Sequence, residues 1–219
     1  MIFVNFKTYE AGTGANVFGL TSSLEEVSET TGVKIVPVVQ ATDIKEVSAG
    51  SKLEIWAQRI DPVTYGAHTG AILPEAVVED GAAGVFINHS ENRCRGVEEI
   101  KQIVERANEV GLKTLIFAGS VNELRDYLSL NPTYIAYEPP EFIGRSDISV
   151  ATAKQGIIAS AFELSKWAGV PLVVGAGVHS REDVRKCLEL GAVGVAVAKD
   201  ILMAQDPEAE VLDLAEGFK

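Results

Sequence analysis

The chain is poor in cysteine, histidine and net positive charge, and each shortage removes a class of function. Cys94 and Cys187 are its only cysteines in 219 residues. Two thiols cannot supply the disulfide framework of a small secreted domain, and these two lack the spacing of a redox or zinc pair. They read as reduced, buried or half-buried thiols of a cytoplasmic protein. The three histidines, His68, His89 and His179, are too scattered to form a local metal-ligand motif. Nineteen Lys and Arg stand against 31 Asp and Glu, a formal net charge of −12, which argues against nucleic acid or an anionic membrane as the main partner. A small anion is still acceptable, because backbone N–H groups or one buried lysine dominate locally inside a cleft. There is no dinucleotide fingerprint, no Walker loop and no apolar run near the roughly 18 residues of a membrane span. The segment from Met1 to Lys7 has no basic region ahead of an apolar stretch and reads as a first strand, not a signal peptide.

What the chain does have is 47% hydrophobic residues and a rhythm of short β-branched runs, each followed by a longer segment of helical periodicity. The runs predict eight strands: 2–5, 34–39, 53–57, 84–88, 113–118, 134–137, 172–175 and 194–198. Several are continuously apolar, as parallel strands buried on both faces are. Helices are expected over 97–110, 122–128, 152–167, 181–190 and 208–216, with weaker patterns at 17–29, 43–48 and 74–79. Ser180 followed by Arg181, Glu182 and Asp183 is a capped start, and Gly191 a stop. Eight βα units without a proline-rich linker predict a single (β/α)8 barrel domain over residues 1–219. A doubly wound sheet is the alternative, since strand order is not written in one sequence.

In a barrel, chemistry collects just after the strands. Asn5-Phe6-Lys7 follows the first strand, Asn88-His89-Ser90-Glu91 the fourth and Glu138 the sixth. Taken singly, Lys7 is also consistent with a solvated lysine, His89 with a structural imidazole and Glu138 with a loop carboxylate. Taken together they make enolisation machinery: a carboxylate to take a proton from carbon, an imidazole to polarise a carbonyl, an ammonium to steady charge on oxygen. Glu91 is placed to pair with Lys7 or to orient its neighbours. Pro139, Pro140, Glu141, Phe142, Ile143 and Gly144 combine stiffness, apolar bulk and a terminal glycine, the makings of a lid that excludes water. Gly175, Ala176 and Gly177 after the seventh strand and Ala198 and Lys199 after the eighth are where a barrel holds phosphate, although Asp200 would repel one if it pointed inward.

These pieces, with Tyr65-Gly66-Ala67-His68-Thr69-Gly70, stand in an order that resembles the triosephosphate isomerase family in its short archaeal form, over essentially the full chain. The resemblance implies interconversion of dihydroxyacetone phosphate and glyceraldehyde 3-phosphate without metal or organic cofactor. It makes Glu138 the base, His89 the electrophile and proton shuttle, Lys7 the charge stabiliser and Asn5 a substrate-positioning residue. It also has Thr69 support a neighbouring subunit's site, and Gly144, Gly177, Ala198 and Lys199 grip phosphate. A homodimer or homotetramer is expected. The chain departs from the family at Gly144-Arg145-Ser146-Asp147 and at Ala198-Lys199-Asp200, where a Gly-Thr-Gly-like and a Ser-Gly-like sequence are usual. Asn92 stands where an arginine often follows, and Phe117-Ala118-Gly119 lacks a cysteine often found there.

Two alternatives stay open at this level. One is another phosphate-binding barrel such as a sugar-phosphate epimerase or lyase, with Lys7 as base or Schiff-base residue. The other is a non-catalytic assembly or binding protein that has kept the barrel, which Lys7, His89 and Glu138 at mutually distant positions would support. Spread over eight units, 219 residues leave about 27 each, short of the roughly 250 usual for this barrel. Trimming is expected at the helices after the second and third strands.

Overall fold

The computed structural model describes residues 1–142 and 155–219. Its strands are β1 (Ile2–Asn5), β2 (Ile35–Val39), β3 (Trp56–Ala57), β4 (Gly84–Ile87), β5 (Lys113–Ala118), β6 (Tyr134–Tyr137), β7 (Leu172–Val174) and β8 (Gly194–Val197). All pairings are parallel between consecutive strands, and β8 returns to β1 through Ile2 opposite Val195. That last pairing closes the barrel and removes the doubly wound alternative. The helices are α1 (Asn16–Thr31), α2 (Ile44–Gly50), α3 (Pro74–Glu79), α4 (Val97–Glu109), α5 (Val121–Leu128), α6 (Gln155–Ala168), α7 (Arg181–Glu189), α8 (Lys199–Leu202) and α9 (Pro207–Glu216). Ser180 caps α7 as expected, its hydroxyl accepting from the Asp183 N–H.

Strand alternation divides the apolar residues into two layers. Phe3, Val36, Val38, Trp56, Phe86, Leu115, Phe117, Ala136, Val173 and Ala196 fill the barrel interior. Ile2, Val4, Val85, Ile87, Ile116, Ile135, Val174 and Val195 face outward onto the helices. The interior is a packed aromatic plug: Phe3 meets the Trp56 ring edge-on at 5.0 Å, and Phe86 meets Phe117 at 4.8 Å. Each such side chain contributes roughly 1.5–3 kcal/mol by burial. Gly84 is required beside Trp56, because a Cβ there would lie 2.3 Å from the indole. Below the plug, Glu54 accepts from Trp56 Nε1 at 2.8 Å, Lys34 Nζ at 2.8 Å and Lys113 Nζ at 2.7 Å. Burial pushes the Glu54 carboxyl up, but the three donors outweigh it and hold it at about 2.

The trimming falls where expected, at α2 with 7 residues and α3 with 6. Other bounds differ from those expected. The third strand, read as 53–57, is only Trp56–Ala57, because Glu54 is drawn into the ion cluster under the barrel. The weak pattern at 17–29 is the longest described helix, α1, with 16 residues. Its Ser, Thr and Gly residues blur the hydrophobic period, while Val17, Leu20, Leu24 and Val27 still bury one face. Residues 152–154 of the helix expected over 152–167 lie outside the described residues.

Candidate active site

At the C-terminal mouth of the barrel a cavity of about 210 Å3 is lined by Asn5, Lys7, His89, Glu91, Glu138, Phe142, Gly175, Ala176, Gly177, Ala198 and Lys199. The structure thus brings together groups from β1, β4, β6, β7 and β8 that are far apart in sequence. The cavity is smaller than the roughly 300–1,000 Å3 that drug-sized ligands occupy, and suits a molecule of a few carbons. Thr69 is elsewhere, in the exposed 64–70 loop, with Tyr65 74% exposed beside it. Pro139 and Phe142 are buried and Pro140 and Glu141 exposed, with Pro140–Phe142 forming a 3-10 turn. Ile143, Gly144 and the sequence departures at Arg145, Ser146 and Asp147 lie outside the described residues.

Alternation explains Asn5 and Glu138. Phe3 points inward, so Asn5 does too; Ala136 points inward, so Glu138 follows it. Opposite Glu138, Gly175 leaves the space, since a Cβ there would lie 3.3 Å from Glu138 Cβ. His89 breaks the rule. Phe86 points inward, and continued alternation would place Asn88 in the cavity and turn His89 away. Asn88 instead takes φ 61°, a left-handed conformation asparagine tolerates better than most residues. Its side chain donates to Phe117 O at 3.0 Å and to the Tyr127 hydroxyl at 3.3 Å, and accepts from Cys94 N–H at 3.0 Å. His89 is thereby turned inward, stacked over Phe86 at 6.4 Å and edge-on to Phe117 at 4.9 Å. Lys7 is also left-handed, at φ 47°. Its N–H donates to Asn5 Oδ1 at 3.0 Å, and its carbonyl accepts from Gln58 Nε2 at 2.9 Å. Those bonds offset the roughly 1–2 kcal/mol such a backbone costs.

Lys7 Nζ reaches Glu91 Oε1 at 2.7 Å, with the lysine side chain 20% exposed and not fully solvated. The Glu91 N–H donates to His89 Nδ1 at 3.2 Å, making that nitrogen an acceptor and leaving the ring proton on Nε2. Nε2 faces Glu138 Oε1 at 3.8 Å. The Asn5 amide nitrogen lies 3.4 Å from Nε2, a contact and not a hydrogen bond in this tautomer, since both atoms carry hydrogen. Burial, then the Lys7 charge, lowers the His89 pKa to about 4. Burial raises the Glu138 pKa to about 7, against an opposing pull from Ser90 and Lys7. Near neutral pH the imidazole is therefore neutral, and the carboxyl is poised to give or take a proton.

Two supporting residues, Gln58 and Ser90, escaped the sequence reading. Gln58 continues the inward parity of Trp56, a signal that was available. Ser90 sits between the quoted His89 and Glu91 and acts on the Glu138 carboxyl. His179, met in the sequence only as one of three scattered histidines, lines the cavity, and so does Asp200, with His179 Nδ1 2.5 Å from Asp200 Oδ2. Among the described residues no group of three or more His, Cys, Asp or Glu side chains is placed to hold a metal ion, and no helix is long and apolar enough to cross a membrane.

A base, a neutral imidazole and an ammonium on one cavity at the mouth of a closed barrel put this chain among the barrel enzymes that move protons beside a carbonyl. Separation of these three groups would have supported the non-catalytic alternative; instead they line one cavity. Comparison with known proteins narrows the class. Residues 1–217 match the family model described as triosephosphate isomerase. The triosephosphate isomerase of Saccharolobus solfataricus is 40% identical over 214 residues, 97% of this chain and 93% of that one. That of Methanothermus fervidus is 37% identical over 216 residues, 98% of this chain and 96% of that one. The crystal structure of triosephosphate isomerase from Bartonella henselae superposes with a TM-score of 0.77 over 99% of this chain and 98% of that one. At 19% identity that match speaks to the fold alone. The chain belongs to the triosephosphate isomerase family, in its archaeal-type form, and is an isomerase.

Proposed function

We propose that this enzyme interconverts dihydroxyacetone phosphate and D-glyceraldehyde 3-phosphate, with Glu138 moving a proton between adjacent carbons. The observation that carries the assignment is the 3.8 Å approach of Glu138 Oε1 to a neutral His89 whose proton lies on Nε2. Glu138 removes a proton from C1 of the ketose and becomes a carboxylic acid while the carbonyl oxygen takes up negative charge. His89 Nε2–H donates to that oxygen, and Lys7, steadied by Glu91, stabilises the enediolate. His89 relays a proton between the two oxygens, and Glu138 returns its proton to C2, regenerating the carboxylate. A carboxyl with pKa near the working pH suits both halves of this cycle. Asn5 positions the substrate, and the backbone of Gly175, Ala176, Gly177, Ala198 and Lys199, with Gly144 on the lid, binds its phosphate.

The catalytic unit is one barrel domain spanning 1–219 and working in the cytoplasm as a homodimer or homotetramer, with Thr69 supporting the neighbouring site. The exposed Tyr65 and the 90% exposed Trp167 support such assembly, since large apolar groups at a surface favour contacts. Purified protein is incubated with dihydroxyacetone phosphate and glyceraldehyde 3-phosphate is read by a coupled assay, with 2-phosphoglycolate as competitor. Turnover with tight competitive inhibition is expected; absence of turnover refutes the proposal.

A further inference from the structure

The phosphate end of the cavity carries a carboxylate that proton transfer does not explain. Asp200, in the first turn of α8, lines the same cavity as Gly177 and Ala198. Ile201 and Leu202, both buried, follow it and anchor that turn. A bare carboxylate here would oppose an incoming phosphate. It is not bare, because His179 from the loop after β7 stands with Nδ1 2.5 Å from Asp200 Oδ2. His179 is held in turn by its backbone N–H, which donates at 3.0 Å to the buried carboxylate of Asp183. Hydrogen bonding from His179, against burial, keeps the Asp200 carboxyl below its usual range, helped by the charges of His179 and Lys199.

We propose that His179 is a charge-compensating residue of the phosphate subsite: its imidazolium neutralises Asp200, so that a phosphorylated triose meets a net-neutral pair in place of a carboxylate. The pair also ties the β7 loop to α8, so the two backbone segments facing the phosphate keep their relative position. The identity of the ligand rests on the triose-phosphate reading above. His179 acts through Asp200 and is a positioning residue, not a catalytic one.

The test compares wild type, His179→Gln and the double variant His179→Gln with Asp200→Asn, measuring KM for dihydroxyacetone phosphate and the dissociation constant of 2-phosphoglycolate. Glutamine can still donate a hydrogen bond to Asp200 but carries no charge. His179→Gln is expected to raise both constants at least tenfold, with the loss falling on KM rather than kcat. Adding Asp200→Asn is expected to bring both back to within threefold of wild type. A purely structural clamp would survive the glutamine and gain nothing from the asparagine. Binding by His179→Gln within threefold of wild type, or a double variant as weak as the single one, overturns the proposal. His179→Asn is a second uncharged variant with the same expectations, should His179→Gln fold poorly. Failure of the isomerase reading would look different. Wild type would then not turn over the ketose, while calorimetric titration of the three proteins with inorganic phosphate would still report the compensation or its absence.

Discussion

The backbone N–H of Glu91 donates to Nδ1 of His89 at 3.2 Å, and this one bond decides how the imidazole can act. An accepting Nδ1 places the proton on Nε2, toward Glu138 and the cavity. Burial then keeps the ring from taking a second proton until about pH 4. The same residue reaches Lys7 with its side chain at 2.7 Å, so Glu91 sets the tautomer with its backbone and the position of the ammonium with its carboxylate.

The acid limb of activity is expected to belong to Glu138. With its carboxyl raised to about 7, kcat/KM falls about tenfold per pH unit below neutrality. His89, titrating near 4, adds no limb there. The check is a kcat/KM profile corrected for titration of the substrate phosphate. A limb near the ordinary carboxylate value of about 4.5 would contradict the burial assigned to Glu138.

The same two groups oppose each other in stability. His89 has a lowered pKa, so its contribution is full above 6.5 and is lost as pH falls toward 4, where the unfolded chain binds a proton the native ring refuses. Glu138 has a raised pKa, so its contribution is full below 4.5 and is lost as pH rises through 7. Each amounts to the order of 3 kcal/mol. Over the interval where both act they largely cancel. Glu138→Gln is expected to reveal stability that rises with pH across this interval, and His89→Gln stability that falls. Urea midpoints measured against pH check this, and slopes of the same sign in both variants would rule it out.

Shortening the base tests its position. Glu138→Asp withdraws the carboxylate by one methylene and is expected to lower kcat by about a hundredfold or more, because misplacement near 1 Å costs that much. The circular dichroism spectrum should be unchanged. Undiminished turnover would remove Glu138 from the base role.

Asn88 can be dissected by two substitutions. Asn88→Ala loses the bonds to Phe117, Tyr127 and Cys94 and leaves in left-handed backbone a residue without the polar side chain that makes asparagine tolerate it. A loss of about 2–4 kcal/mol is expected, together with lower kcat as His89 loses its direction. Asn88→Gly loses the same bonds without the backbone penalty and should be more stable than Asn88→Ala by about 1 kcal/mol. Equal denaturation midpoints for the two variants would show that the left-handed turn is no constraint.

Much of the architecture was legible because it is local. β-branched runs set the strands, Ser180 and Gly191 bracket α7, and strand-end residues announce Lys7, His89 and Glu138. The elements that escaped have physical reasons. A four-residue helix such as α8 is too short to show a period, and α1 carries too many small polar residues to show a clean one. β3 is cut short by the distant partners of Glu54. The expected lid extends past Phe142, outside the described residues.

The chain alone determined its inventory of acids, bases and flexible joints, and the alternation that sends Asn5 and Glu138 inward, because period and residue type are written along one dimension. Only the closed barrel decided the rest. Asn88 reverses alternation because its partners lie on β5 and α5. Asp200 is compensated because the β7 loop brings His179 to it. Such pairings depend on distance through space, which burial and closure set after the strands have assembled.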